Sequence, residues 1–541
     1  MRNQISVKAV SLDASMKKGL PQGASLNPRL ILAGKVFVQK NFLVSPPEEQ
    51  MLEKGHAVLL MKRKPGTLPE AGELLETPVR LLGAPHSEGE AFLSFGDHES
   101  EIFEKRFGRK NVREFQIPSF DTIKSVSGVP LVLHKPHEKT CRFSVPVELV
   151  NRRWLDKIKK QGRLTVLATG AEMNSSFCIL ECTYDNKNQS LECSAMLSRD
   201  YGNTSIIENL ERFSHDIQAN LRNPPDIISA DLHPSYNVSV LARRISEKLG
   251  IPKVSVQHHL AHAYSALASH GRVKKEFSAI VADGLGFGTD EKIWGGETFS
   301  GEARTGHLEN HIQPGGDAAT KEPWRMLFSI LMKAAGEEIA AREVVNRGIS
   351  EDEVSALKIQ IDNRFNCPET SSCGRVLDAA ACLLGLCRER TYEARPALLL
   401  ESEAMKAVIR EAKNGSIDYA LNRTESVLSK KGILLKPVIK SENGKRILMT
   451  SPLFRFLLDN MGADRSFLAL LVHYYIAQGM FEIVSFWGNE NIFFTGGCAY
   501  NRIMASWLAG KGILLPRVSP GDGGIALGQA AAALFQDGKN D

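Results

Sequence analysis

Paired cysteines are missing from this chain of 541 residues. The nine cysteines stand at Cys141, Cys178, Cys182, Cys193, Cys367, Cys373, Cys382, Cys387 and Cys498. None forms a Cys-x-x-Cys pair, so neither a zinc ribbon nor a disulfide framework is expected. Surplus charge is scarce as well: 67 Lys and Arg against 62 Asp and Glu leave +5, too little to imply a nucleic-acid partner. An uninterrupted apolar span is also wanting. The longest apolar stretch, Phe467 to Trp487, is broken by His473, Gln478, Gly479 and Glu482, which suits a buried amphipathic helix better than a bilayer. Met1 to Leu20 carries charges and no apolar h-region, so export is not expected and a cytoplasmic, non-membrane protein is. What is present is ordinary: 43% hydrophobic and 24% charged residues exclude wholesale disorder and fibrous repeats. At about 150 residues per domain the length allows three or four domains.

The first 160 residues are rich in Pro, Gly, Lys and Glu. Ala57 to Met61 predicts a strand, followed by the basic turn Lys62-Arg63-Lys64-Pro65-Gly66. Val129 to Leu133 is a second apolar run, and Gly83 to Ser100 reads as loop. From Arg163 the pattern sharpens. Strands are expected at Leu164 to Ala168, Phe177 to Glu181, Ile227 to Ala230, Val254 to Val256 and Phe277 to Ala282. Helices are expected at Glu208 to Leu221, Val238 to Leu249 and Leu260 to Ser269. This alternation indicates an α/β domain with a largely parallel core sheet. The C-terminal third repeats the style, with helices at Arg375 to Leu386, Glu401 to Ala412, Ser466 to Phe486, Asn501 to Ala509 and Gly524 to Phe535. A β-like patch lies at Ile433 to Ile439 and a strand at Ile492 to Thr495.

His258 and His262 in Gln-His-His-Leu-Ala-His are four apart after a strand. Such spacing points both imidazoles from one helix face, which suits a divalent metal, although two surface histidines would show the same spacing. His259 is turned about 100° away. Carboxylates for such a metal would be Asp283, closing a strand, and Asp522 in Pro520-Gly521-Asp522-Gly523-Gly524. Asp283-Gly284-Leu285-Gly286-Phe287-Gly288-Thr289-Asp290 alternates glycine after a strand, where backbone N–H groups can approach a phosphate. An ordinary hairpin would also explain it, but Ile293 to Glu297 reads as a returning strand. Strand, glycine turn and strand is how actin-like and sugar-kinase-like ATPases grip phosphates. Thr495-Gly496-Gly497-Cys498-Ala499-Tyr500-Asn501 sits at a strand end and opens a helix, so a nucleoside could lie on Gly496 and Gly497 with Asn501 bonding it. A plain turn is the equal alternative. Cys498 has no base near it in sequence. Ser371 or Ser372 makes a good N-cap.

In order, these strings resemble the C-terminal half of the hydrogenase maturation carbamoyltransferases, the HypF family. They are Thr169-Gly170-Ala171-Glu172, Asp231-Leu232-His233-Pro234, Val256 to His262, Asp283 to Asp290, Pro314 to Arg325, Ser371 to Arg375, Gly496 to Asn501 and Gly521 to Ala530. The resemblance spans about Arg163 to Leu534. It implies an α/β actin-like ATPase (ASKHA) fold of two RNase-H-like halves, about 161–330 and 366–541, similar to the TsaD-type carbamoyltransferase domain. Residues 1–160 would be a reduced, degenerate α+β YrdC-like domain, since Ser45 to Glu49 and Val58 to Gly66 resemble a piece of it and His134 to Val147 its tail, while its basic ATP-binding stretch and Ser-Gly-Asn turn are not visible.

The family moves a carbamoyl group from carbamoyl adenylate to the C-terminal cysteine thiol of a HypE partner, for cyanide ligand synthesis. By motif match His258, His262, Asp283 and Asp522 would hold a divalent metal (Zn, Fe or Mg). Gly284, Gly286 and Gly288 would face phosphate, and Gly496, Gly497 and Asn501 the nucleoside of ATP or carbamoyl adenylate. Ser371, Gly374, Asp378 and Glu393 join this nucleotide- and phosphate-binding set. Departures are Ala394 where the family prefers glycine, Leu260 in place of a third histidine, and no recognisable acylphosphatase domain or zinc fingers. Carbamoyl adenylate is therefore expected from another protein, a full-length family member being one source. Two other readings stay open: a non-catalytic nucleotide-binding scaffold in maturation, and an O-carbamoyltransferase acting on a small-molecule hydroxyl.

Overall fold

The structure, a computed structural model, describes residues 144–145, 151–185, 190–271, 276–390, 393–411, 420–488 and 491–536, together with strand backbones within 7–143. In that leading part, six strands form an antiparallel sheet, and Phe120–Val126 pairs with Val129–Pro136 as a hairpin. The predicted strand near Ala57 is there as Val58–Arg63. Glu90–Phe95 is a strand inside the stretch expected to be loop; its apolar Ala91-Phe92-Leu93 core is short and flanked by glycine and acids, which hides it.

Two sheets carry the rest. The first runs in the order Lys253–Val256, Ile227–Asp231, Arg163–Ala168, Cys178–Asp185, Ser190–Leu197, Cys141–Ser144. Arg163–Ala168 to Ser190–Leu197 is an antiparallel meander, and the next two strands, each reached through a helix, add in parallel. The second sheet repeats the plan. Ser278–Phe287, Ile293–Ser300 and Ala303–Leu308 form a meander, and Ile492–Thr495 adds parallel to the first of them. Three strands by hairpin and then parallel strands by crossover is the pattern of an RNase-H-like half, so the molecule holds two. The sheets are mixed, not largely parallel, because short turns connect the first three strands of each half. Both meanders start before residue 330, the second at Ser278.

Burial follows from covering both faces. Ile227–Asp231 is buried at every position; Ile227 packs into one core and Ile228 and Ala230 into another on the opposite face. Arg465–Ser485, apolar all round, lies inside the second half, where Leu470, Tyr475, Ile476 and Ile483 are fully enclosed. It is the one helix among the described residues long and apolar enough to cross a membrane, and it is core. Helices at Pro323–Ala335, Glu337–Val345 and Glu351–Asp362 were not anticipated. The first has Pro at its start and the last a Ser350/Glu353 capping box, both ordinary start signals. The final helix, Ile525–Ala532, returns to the first half and crosses the helix His258–Ser269. The crossing is tight: a Cβ on Gly528 would stand 1.8 Å from the Ala261 carbonyl oxygen. Against expectation, Cys182 and Cys193 lie opposite each other in adjacent strands and are disulfide-linked. The other described cysteines are free.

Candidate metal and nucleotide site

The strand Lys253–Val256 delivers the chain to Gln257, whose side chain accepts the Leu260 N–H (3.0 Å) and starts the helix His258–Ser269. Its amide also donates to the Phe287 carbonyl (3.0 Å), tying the helix start to the glycine turn. One helical turn then separates His258 from His262. Asp283 comes from the first strand of the second half, where the pairing register shifts between Ala282 and Gly286 and frees it from the ladder. Asp522 comes from the turn before the last helix. The sequence-predicted four therefore meet: one donor atom from each lies within 4.8 Å of all the others. His258 Nε2 is 3.3 Å and His262 Nε2 3.4 Å from Asp283 Oδ2, and each is 3.7 Å from Asp522 Oδ1.

Both Nε2 atoms are buried and make no hydrogen bond. Two imidazoles and two carboxylates converging with open lone pairs are what a divalent metal requires, so the residues present fit one. His258 is held from behind, because its Nδ1 lies 2.8 Å from Asp231 Oδ2. Asp231 Oδ1 accepts the His233 N–H (2.9 Å). A carboxylate behind a ligating imidazole fixes ring and tautomer. Asp283 is oriented likewise, since its Oδ1 accepts the Gly497 N–H (3.1 Å) and Oδ2 is left for the histidines.

Charge follows this geometry. Burial opposes a proton on His258, but the hydrogen bond to Asp231 and the nearby carboxylates of Asp283 and Asp522 outweigh it and hold its pKa well above the usual range. His262 is raised by Asp283 and Asp522 against the same burial. Burial would push Asp283 up; the two histidines instead hold it well below the carboxylate range. His259 stacks on Trp294 with its Nε2 3.9 Å from Asp283 Oδ2, and burial, reinforced by His258, lowers it to about 3. It is a neutral packing group.

The predicted nucleotide-facing residues divide. Gly284 meets open space, and the N-terminus of the helix Cys373–Leu383 stands beside it, where a Gly374 Cβ would be 3.0 Å from Gly284 Cα. These two can admit a phosphate. Gly286 and Gly288 instead make room for His259 and Trp294, whose rings would lie 2.3 Å from an added Cβ. Ser372, not Ser371, is the N-cap, and its hydroxyl donates to the Gly284 carbonyl (2.6 Å). The Ser371 hydroxyl binds the buried Glu297, which also pairs with Arg304. Asp378 is buried and holds Arg375 (2.8 Å). Gly496 takes φ 92° under the Ala282 carbonyl, where a Cβ would come within 2.4 Å. Gly497 serves Asp283, and Asn501 caps the helix Arg502–Ala509 by accepting the Met504 N–H (3.1 Å). The Cys498 thiol hydrogen-bonds Cys373; that bond and burial push its pKa well up, which disfavours the thiolate.

Glu393 is exposed to solvent. The next residue, Ala394, holds φ 57°, a left-handed conformation that favours glycine. Two groups had no role in the sequence reading. Asp231 stood in a matching string, and its signal was a carboxylate ending the strand Ile227-Ile228-Ser229-Ala230. Asp200 gave no signal. Burial, with Asp522 and Glu393 nearby, raises its pKa to about 7 against the Gly202 N–H that lowers it.

Comparison with known proteins agrees with this geometry. Residues 161–269 match the HypF Kae1-like domain, and residues 279–529 match the carbamoyltransferase Kae1-like domain, second subdomain. A probable carbamoyltransferase HypF of Methanocaldococcus jannaschii is 37% identical over 407 residues, covering 71% of this chain and 48% of that one. A carbamoyltransferase HypF homolog of Cupriavidus necator is 29% identical over 388 residues, covering 69% of this chain and 92% of the relative. The chain thus spans about half the length of the first of these relatives. In fold it resembles full-length HypF in its phosphate- and nucleotide-bound form (TM-score 0.68, 19% identity, 97% of this chain and 82% of that one). It also resembles HypF of T. kodakarensis (TM-score 0.66, 22% identity, 94% of this chain and 67% of that one). Two consecutive matches over both halves, on a shared fold, leave one conclusion: the chain belongs to the HypF carbamoyltransferase family through its Kae1-like domain.

Proposed function

We propose that this chain transfers a carbamoyl group from carbamoyl adenylate to the C-terminal cysteine thiol of a HypE-like partner. The observation that carries the reading is the buried cluster of His258, His262, Asp283 and Asp522, with unpartnered imidazole nitrogens, in a Kae1-like domain. A divalent metal held there would supply Lewis-acid polarisation of a carbonyl or phosphoryl oxygen. Two imidazoles suit Zn or Fe better than Mg, which keeps to oxygen ligands.

The chain's own residues do the rest. Asp231 fixes the His258 ring and the Gly497 N–H fixes Asp283, so the cluster is set before substrate arrives. Gly284 and the helix N-terminus at Gly374 offer backbone N–H groups and a favourable dipole to the adenylate phosphate. In the transfer the partner's sulfur bonds to the carbamoyl carbon, the carbon–oxygen bond to phosphate breaks, and AMP leaves. The thiol proton passes to solvent. Residues 1–160 are assigned to a reduced YrdC-like domain, so the adenylate would come from a full-length family member.

The test is to supply carbamoyl adenylate and a cysteine-terminated acceptor and to follow the acceptor by mass spectrometry. A carbamoyl adduct with the wild type, lost in a His258→Ala/His262→Ala double variant that still folds, supports the proposal. No adduct with the wild type, or an undiminished one with the variant, sinks it.

A further inference from the structure

Asp200 sits in the loop between the strand Ser190–Leu197 and the helix Ile207–Asn220, and the loop is firmly mounted. The Tyr201 N–H donates to the Ser175 carbonyl (2.8 Å), and the Ser175 N–H to the Gly202 carbonyl (2.9 Å). The Tyr201 hydroxyl and the Arg199 guanidinium both bind Asp216 Oδ2, at 2.7 and 2.8 Å. The Tyr201 ring lies against Phe177 and Phe213. Arg199, the adjacent cation, is thereby turned away from Asp200.

Only half of the Asp200 carboxyl is used. Oδ1 accepts the Gly202 N–H at 2.6 Å. Oδ2 is shielded from water and has no hydrogen-bond partner, while the charges of Asp522 and Glu393 reach it. The Ser176 hydroxyl, next to the Ser175 that holds this loop, donates to the Gly523 carbonyl at 2.8 Å, which ties the loop to the turn carrying Asp522 of the proposed metal cluster. A rigidly held, unpaired acceptor on a loop tied to the Asp522 turn is destabilising in the free protein, and a ligand N–H would relieve it.

The group to be transferred carries such donors. A carbamoyl NH2 has two N–H bonds, and its lone pair is delocalised into the carbonyl, so it donates and does not accept. We infer that Asp200 Oδ2 accepts an amide N–H of the carbamoyl group and so distinguishes it from acyl groups of the same shape without N–H. This rests on the carbamoyl-transfer reading above. A site built to bond a substrate N–H discriminates strongly against an analogue that lacks it, because the buried acceptor is then left unpaired.

The experiment compares carbamoyl adenylate with acetyl adenylate as donors to the same cysteine-terminated acceptor, at about pH 8, where the carboxyl is ionised. The readout is the ratio of kcat/KM for the two donors. Asp200→Ala is expected to lower that ratio about tenfold or more, with acetyl transfer changed less than about threefold. Asp200→Asn, nearly isosteric and with one acceptor oxygen, should fall between, and it decides the matter if the alanine variant does not fold. Parallel loss with both donors, or an unchanged ratio, overturns the inference alone. A loss of metal affinity with an unchanged ratio also overturns it, pointing to a cation ligand instead. A wild type that transfers no carbamoyl group overturns both the reading and the inference.

Discussion

Removing the carboxylate behind His258 isolates what orientation contributes to the proposed metal cluster. Asp231 Oδ2 and His258 Nδ1 are 2.8 Å apart, with side chains 0% and 4% exposed. Asp231→Ala removes the acceptor and leaves Nδ1–H buried without a partner, so the ring is free to turn and Nε2 is no longer aimed at Asp283 and Asp522. Loss of such a supporting group lowers metal affinity about 10- to 100-fold, or about 1.4 to 2.7 kcal/mol at 1.36 kcal/mol per decade. Asp231→Asn keeps an oxygen that can accept the same N–H and should sit at the small end of that range. Competition of Zn(II) or Fe(II) binding against a chromophoric chelator at fixed pH measures both. A folded alanine variant that binds metal with wild-type affinity refutes the reasoning, because the imidazole would then need no support.

Four further outcomes follow from packing and charge. Gly528→Ala places a Cβ 1.8 Å from backbone of the histidine helix; such overpacking costs about 1 to 3 kcal/mol, so the urea midpoint should fall together with metal affinity. Gly284→Ala meets nothing within 4 Å, so stability should stay within about 0.5 kcal/mol, while titration with AMP or ATP should show weaker binding; unchanged binding removes Gly284 from the phosphate site. His473 is buried, with Nδ1 2.8 Å from the Ala469 carbonyl, and burial lowers its pKa from 6.5 to about 4. Its folded-state pKa is depressed, so stability is full above about pH 6.5 and falls as pH drops toward 4. Between pH 7 and pH 5 the wild type should lose about 2 kcal/mol more than His473→Leu, and equal losses by denaturant titration would count against a neutral buried ring. Ala394→Gly should raise stability by about 1 kcal/mol by relieving the positive φ; a lowered melting temperature would contradict it.

The four cluster residues were legible because each carries a local sign: imidazoles four apart, a carboxylate closing a strand, a carboxylate in a glycine turn. Asp231 has its meaning only through register. It pairs in parallel with Val256, two residues before His258, and no local pattern states that pairing. The glycines taught the reverse. Gly284, Gly286 and Gly288 look alike in sequence, yet two of them accommodate neighbouring rings and one faces open space, a difference set by the tertiary positions of His259 and Trp294. Ser371 and Asn501 are similar cases, polar residues in a glycine-rich setting whose hydrogen bonds serve Glu297 and a helix end. Sheet direction was misread because alternation of strand and helix dominates the pattern after residue 200, while the hairpins that open each half are short and weakly marked.

The return of the last helix to the first half also sets an order of assembly. The Asn151 N–H donates to the Leu534 carbonyl (2.8 Å), and the Trp154 indole to the Gln536 carbonyl (3.2 Å), so the beginning and end of this domain are stitched together. During synthesis His258, His262 and Asp283 emerge long before Asp522, and the first half lacks its closing helix until Ile525–Ala532 has followed. An incomplete chain would therefore hold three of the four cluster residues without the packing that fixes them, and the cluster closes only once the helix Ile525–Ala532 is in place. The same adjacency makes the domain a candidate for circular permutation, with residues near 151 and 536 joined and new ends opened at the exposed hairpin tip Asn443-Gly444.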